Sequence, residues 1–177
     1  MTARIERLVG PRVEVRPFAA EDLTPDYVGW LNDAEVVRYS NQRFRRHTAE
    51  SCRAFFEGFT DSASQFLSLR LREGDRAVGT MTVYHVPSHN TADVGIMLGD
   101  RAQWGKGIGQ EAWSLVIDWL AGEGRVRKVT AGTLRCNRAM LTLMQRAGMH
   151  EEAVRKAQEL VNGLPEDMIH YARFGTG

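Results

Sequence analysis

Apolar and polar positions alternate strictly in much of the first half of this chain, and the second half adds a three-to-four spacing. Val13 to Phe18 alternate and predict a strand. Two further alternating runs, Gln65 to Arg72 and Ala77 to Val86, enclose "REGDR" and predict a hairpin. "PSHN" then breaks the chain, and Ala92 to Leu98 predicts a fourth strand. Pro25 to Leu31 predicts a short helix. Thr48 predicts the N-cap of another, with Glu50 in its first turn and Phe55, Phe56 and Phe59 along it.

Beyond residue 100 the order changes. Gly107 to Ala121 carries Ile108, Ala112, Leu115, Val116, Trp119 and Leu120 at helical spacing, and "GEG" closes that helix. Val126 to Leu134 predicts a strand, and Asn137 to Ala147 a helix stopped by Gly148. Glu152 to Val161 and Pro165 to Phe174 predict a hairpin around Asn162-Gly163, a dipeptide suited to the tightest turns. Antiparallel hairpins thus flank a strand–helix–strand–helix unit. This predicts an α/β (α+β) class, with one mixed, mostly antiparallel sheet of about seven strands and helices on its faces. The strands before and after the Gly107–Ala121 helix should run parallel through a right-handed crossover. No repeat, low-complexity tract or linker divides the chain, and 177 residues suit one domain over 1–177.

Charge and composition narrow the function. The net charge of +1 gives no global field to recruit nucleic acid or an anionic membrane, so neither is expected as a partner. No apolar run approaches the roughly 18–20 residues that span a bilayer. "MTARIERLVG" lacks the apolar core of a signal peptide, so a cytoplasmic protein is expected. Cys52 and Cys136 stand far apart without CxxC spacing and are expected to be reduced. His85 and His89 fall on the Pro-broken turn "HVPSH", and no metal is expected there.

The chemistry centres on "AQWGKGIGQEAW", where Gly105, Gly107 and Gly109 alternate just before a helix. Glycines let a ligand approach the backbone, and a helix start offers unpaired N–H groups and a positive dipole end. Together they suit an anion, phosphate above all, or form only a tight strand-to-helix turn. A Walker A loop is excluded because Lys106 precedes Gly107 and no Ser or Thr follows. A dinucleotide fingerprint is excluded because Gln110 stands where the third glycine belongs.

"ADVGIML", "WGKGIGQEAW" and "NRAMLTLMQRAGM" together resemble the GNAT superfamily of acetyl-CoA-dependent N-acetyltransferases. "VRPFAAEDL", "WLNDAEVVRYS" and "GLPEDMIHYARF" extend the likeness across nearly the whole chain. The nearest branch holds ribosomal-protein-alanine acetyltransferases and many small-molecule acetyltransferases. The resemblance implies that backbone amides of Gly105, Lys106, Gly107, Ile108 and Gly109 hold the pyrophosphate of coenzyme A. Trp104 stands where the family has Gln or Arg, a departure. The fourth and fifth strands should splay to admit the pantetheine arm, with backbone groups of Met97 and Leu98 bonded to it. Asn137 matches a cofactor-contacting Asn and equally suits a helix N-cap.

Acetyl transfer needs a neutral amine, a donor for the carbonyl oxygen and an exit for the thiolate. Asp93 falls where related enzymes carry a Glu used as base, directly or through water, and His85 is a second candidate base. The family's Tyr general acid is replaced by Met144, which leaves Tyr84 or water as donor, or no donor at all. The acceptor site falls between the first two helices, where "NQRFRRHT" brings Arg43, Arg45 and Arg46 beside Trp30, Tyr39 and Phe44. Guanidinium groups suit an anionic acceptor, and a nucleotide-linked amino sugar would fit; the alternative is a solvated basic loop. A small-molecule amine is therefore expected ahead of a protein N-terminus. The Trp104 and Met144 departures also admit a non-catalytic acyl-CoA-binding module. A homodimer is common in the family, and no stretch here marks an interface.

Overall fold

The computed structural model describes residues 4–123 and 125–176. Eight strands form one sheet: β1 (Leu8–Val9), β2 (Val13–Pro17), β3 (Gln65–Leu71), β4 (Arg76–Val86), β5 (Thr91–Leu98), β6 (Lys128–Leu134), β7 (His150–Val161) and β8 (Leu164–Phe174). Their spatial order is β1-β2-β3-β4-β5-β6-β8-β7, and all neighbours are antiparallel except β5 and β6. The strand beyond the expected seven is β1, only two residues long, too short to show an alternation.

Five α-helices accompany the sheet: α1 (Pro25–Asn32), α2 (Ala34–Val37), α3 (Ala49–Glu57), α4 (Ile108–Ala121) and α5 (Arg138–Arg146). Thr48 caps α3, its hydroxyl accepting from Ser51 N–H while the Ser51 hydroxyl accepts from Thr48 N–H. Asn162 and Gly163 close the last hairpin at φ +52° and +79°, the two positive values that a tight primed turn requires. Among the described residues, no helix is long and apolar enough to cross a membrane.

Strand periodicity decides which side chain meets which layer. On one face, Val13, Leu67, Met81, Val94 and Val129 meet Trp113, Ile117 and Leu120 of α4 and Met144 of α5 in the main core. Trp113 and Met144 are fully buried. On the other face, Phe18, Tyr27, Leu31, Cys52 and Phe66 form a smaller core under α1 and α3. Both cysteines are free; Cys52 lies in that smaller core and Cys136 is half-buried.

The interruption of the sheet positions the site. β5 and β6 pair only at Thr91–Lys128, Ala92–Val129 and Asp93–Thr130. From Val94 on, β5 keeps only its β4 partners, while β6 from Ala131 keeps only those on β8. The two strands part there and leave a gap in an otherwise continuous sheet.

Candidate active site

The loop at the wide end of the gap is shaped by its glycines. Gly105 and Gly107 sit at φ +72° and +79°, where a side chain would be strained. Gly107 is the N-cap of the fourteen-residue α4 and offers no side chain to cap it. The first helical bond runs from Glu111 N–H to Gly107 O. The amides of Ile108, Gly109 and Gln110 therefore have no intrahelical acceptor and point out of the helix start. Gly109, buried under Leu98 and Leu143, keeps the helix close to the gap.

Trp104 is explained by a bond within the loop. Its indole Nε1 donates to Leu98 O at 2.8 Å, tying the loop to the end of β5. The half-buried ring thus latches the loop to the strand.

Backbone groups alternate along β5. Gly99 N–H donates to Val78 O, so Gly99 faces β4, and alternation turns Met97 the same way. Leu98 and Ile96 then present their backbone groups to the gap. The expectation that Met97 lends its backbone to the pantetheine arm is corrected on this point: strand parity gives that role to Ile96 and Leu98. Asn137 caps α5 by accepting from Met140 N–H at 3.3 Å and donates to the Thr133 hydroxyl at 3.0 Å.

At the narrow end of the gap, three side chains share a row across adjacent strands. Tyr84 on β4 stands opposite Asp93 on β5, which stands beside Thr130 on β6. The Thr130 hydroxyl donates to Asp93 Oδ2 at 2.6 Å. Surrounding protein pushes the Asp93 carboxyl upward, against the pull of Thr130 and of His170 on β8. The side chain nevertheless stays open to solvent, and we treat it as an ionised carboxylate at neutral pH. Burial first, then the Asp93 charge, raises the Tyr84 phenol above its ordinary range and keeps it protonated.

His85 is placed elsewhere. It pairs with Ala92, and one residue of displacement turns its ring to the opposite face from Tyr84 and Asp93. Burial lowers its titration, and its buried Nε2 has no partner among the described residues. The structure does not bring His85 to Asp93, so it is withdrawn as a base. Met144 lies wholly inside the main core and presents nothing to the gap.

The basic segment splits by function. A cleft of about 790 Å³ opens between the α1–α2 region and the tip of the last hairpin. Tyr39, Arg43, Arg45 and Arg46 line it, with Cys136 and Glu166 on the opposite side. Arg43 is engaged: it donates to Ser40 O and Leu160 O and pairs with Glu159 at 3.6 Å. The Arg45 and Arg46 side chains are exposed and have no hydrogen-bond or ion-pair partner among the described residues. Phe44 is 70% exposed under the Arg43 guanidinium and does not line the cleft. Trp30 lies flat on Gly99, where a Cβ would come within 2.1 Å of its ring. It braces the end of β5.

Two residues at the site carried no signal in the sequence. Arg12, just before β2, donates from Nη1 to Lys106 O at 2.7 Å and from Nε to Glu111 at 2.9 Å. Its Nη2 lies 3.2 Å from where a Gly107 Cβ would sit, so a fixed cation stands against the glycine loop. His170 is the other. No local pattern reveals either, because their partners are far away along the chain.

A gap in a sheet, ending in exposed amides and a cation at one side and a carboxylate at the other, defines an acyl-CoA-binding fold. The family model for the acetyltransferase (GNAT) domain matches residues 12–150, and the chain belongs to that family. A probable N-acetyltransferase of Bacillus subtilis strain 168, YjcK, is 33% identical over 95 residues, 52% of either chain. The match thus spans about half the length of that relative. The ribosomal alpha-N-protein acetyltransferase RimL, solved with coenzyme A, superposes with a TM-score of 0.84 at 18% identity over 96% of this chain and 98% of that one. The microcin self-immunity acetyltransferase MccE, solved with acetyl-CoA and AMP, gives 0.79 at 16% identity over 93% of each chain. At these identities the two structures establish a shared fold.

Proposed function

We propose that this chain, as one domain over 1–177, is an N-acetyltransferase that moves an acetyl group from acetyl-CoA to the primary amine of an anionic small molecule. One observation carries the reading: the β5–β6 gap leads from the free amides at the start of α4 to Asp93. The residues suit coenzyme A. Gly105 to Gly109 and the Arg12 guanidinium would hold its pyrophosphate, and backbone groups of Ile96 and Leu98 its pantetheine arm. Asn137 caps a helix and keeps one amide N–H and one oxygen lone pair for the cofactor. Acetyl-CoA supplies the acetyl group as a thioester. Asp93 draws the ammonium form of the acceptor in and orients it, and Tyr84 stands beside it as a donor.

Arg45 and Arg46 support an anionic acceptor, since unpaired guanidinium groups bind phosphate or carboxylate strongly. Leu164 and Glu166 of β8 line the cleft, and the same face of that strand leads through Met168 to His170. Glu166 and His170, four residues apart on one strand, are about 13 Å apart. An amine at Asp93 and a phosphate near Arg45 would stand on the order of that distance apart. A nucleotide-linked amino sugar has such a layout, and the neighbour solved with AMP is compatible with it.

The test combines melting temperature with and without acetyl-CoA and free-thiol release on a panel of amines. Nucleotide amino sugars, amino sugars, polyamines, amino acids and N-terminal peptides are compared. A raised melting temperature with thiol release on anionic amines is expected. Release on peptides alone would favour a protein N-terminal acetyltransferase. Binding with no turnover on any amine would leave a non-catalytic acyl-CoA module.

A further inference from the structure

We propose that His170 accepts the proton shed by the acceptor amine, with Asp93 as its charge partner, in the acetyl transfer proposed above. His170 lies on β8 opposite Gly132 of β6. Its ring rests on that glycine: Nδ1 and Cε1 lie 3.1 and 3.3 Å from where a Gly132 Cβ would be. Gly132 is two residues beyond Thr130 on the same face, the first such position after β5 and β6 part. The imidazole thus lies over bare backbone on the face of the sheet that carries the Asp93–Thr130 pair, one alternate position along β6.

The ring is unspent. Its Nε2 is buried and, like the Nε2 atoms of His47 and His85, has no partner among the described residues. Of these three, His170 is the one on the face of Asp93 and beside the strand gap, where an incoming amine can supply the partner.

The chemistry needs such a group. An ammonium titrates near 10, and imidazoles in general are about a hundredfold better proton acceptors than carboxylates. A neighbouring carboxylate stabilises the imidazolium that forms. Tyr84 stays protonated, His85 lies on the other face and Met144 is in the core. His170 is the remaining base on that face of the sheet. In the step, the bound ammonium first loses one proton to solvent, and the N–C bond forms from the lone pair this frees. The C–S bond breaks with its electron pair going to sulfur, and the surplus proton on nitrogen passes to His170 Nε2. The thiolate takes its proton from the Tyr84 phenol or from solvent.

The full chain is assayed for acetyl-CoA binding by calorimetry and for thiol release with the best amine of the panel. His170→Ala is expected to lower kcat roughly a hundredfold, with acetyl-CoA affinity and melting temperature unchanged. Added imidazole should restore much of that loss, and it should not rescue Asp93→Asn. His170→Gln, which keeps the bulk without the basicity, should stay inactive. Gly132→Ala would push the ring aside by a few tenths of an ångström and is expected to lower kcat less, again with normal affinity. Normal kcat in His170→Ala, loss without imidazole rescue, or full activity in His170→Gln overturns the proposal. If the wild type binds acetyl-CoA and acetylates nothing, the acetyltransferase reading falls and this proposal with it. Wild-type turnover with an unimpaired His170→Ala sinks this proposal alone.

Discussion

At the wide end of the gap, Trp104 to Gly109 take their shape from a handful of consecutive residues: two glycines at positive φ, a helix start and an indole bonded to Leu98. At the narrow end, Tyr84, Asp93, Thr130 and His170 each come from a different strand. The first region presents backbone amides, and its Trp104 side chain is bonded within the loop to Leu98 O. The second works through side chains and depends on register. A one-residue slip separates Tyr84, which faces Asp93, from His85, which does not. The same strand, β5, serves both ends, with backbone groups toward the gap at Leu98 and a carboxylate at Asp93.

The largest expected effect breaks the amine end alone. Asp93→Asn should lower kcat roughly a hundredfold with acetyl-CoA affinity unchanged, read by single-turnover kinetics beside calorimetry. The same variant has a stability signature with a definite sign. The surrounding protein raises the folded-state titration of Asp93, so its ionised form costs stability at neutral pH; that cost fades as pH falls through the raised titration and is gone below the unfolded one near 4. Asp93→Asn should therefore melt slightly higher than wild type at pH 7, with the gap closing toward pH 3.5. An equal melting difference at both pH values would refute the burial account.

The converse break is Gly107→Val. A side chain at φ +79° costs about 1–2 kcal/mol, and its Cβ would press on Arg12 at 3.2 Å. Coenzyme A should bind roughly tenfold more weakly or worse, while kcat at saturation stays near wild type. Unchanged affinity would reduce the loop to a turn. The cleft comes next. Replacing Arg45 and Arg46 together with Ala should raise KM for an anionic acceptor by about tenfold and leave KM for a neutral amine alone. Equal effects on both would return the segment to a solvated basic loop. The smallest effect is Trp104→Phe, which removes the bond to Leu98 O and should cost about 1 kcal/mol of loop stability, visible as faster amide exchange at Gly105 to Gly107.

The sequence made the sheet largely legible because alternation and turn residues are local. Asn162-Gly163, the Thr48 cap and the parallel pair around the crossover helix all stand where their patterns placed them. The parity of β5 was not legible: it turns the backbone groups of Met97 toward β4, while those of Leu98, with Ile96, face the gap. Within the basic segment, composition could not separate Arg43, tied to Glu159, from Arg45 and Arg46, which remain free. Pairing depends on which distant strand lies opposite.

By itself, the sequence determined the elements, the glycine loop and the family, because each is written in short-range spacing. Tertiary structure alone decided that Arg12 stands against Gly107 and that His170 rests on Gly132 beside the gap. Those contacts join residues 95 and 38 positions apart in the chain, and only the strand order and register bring them together.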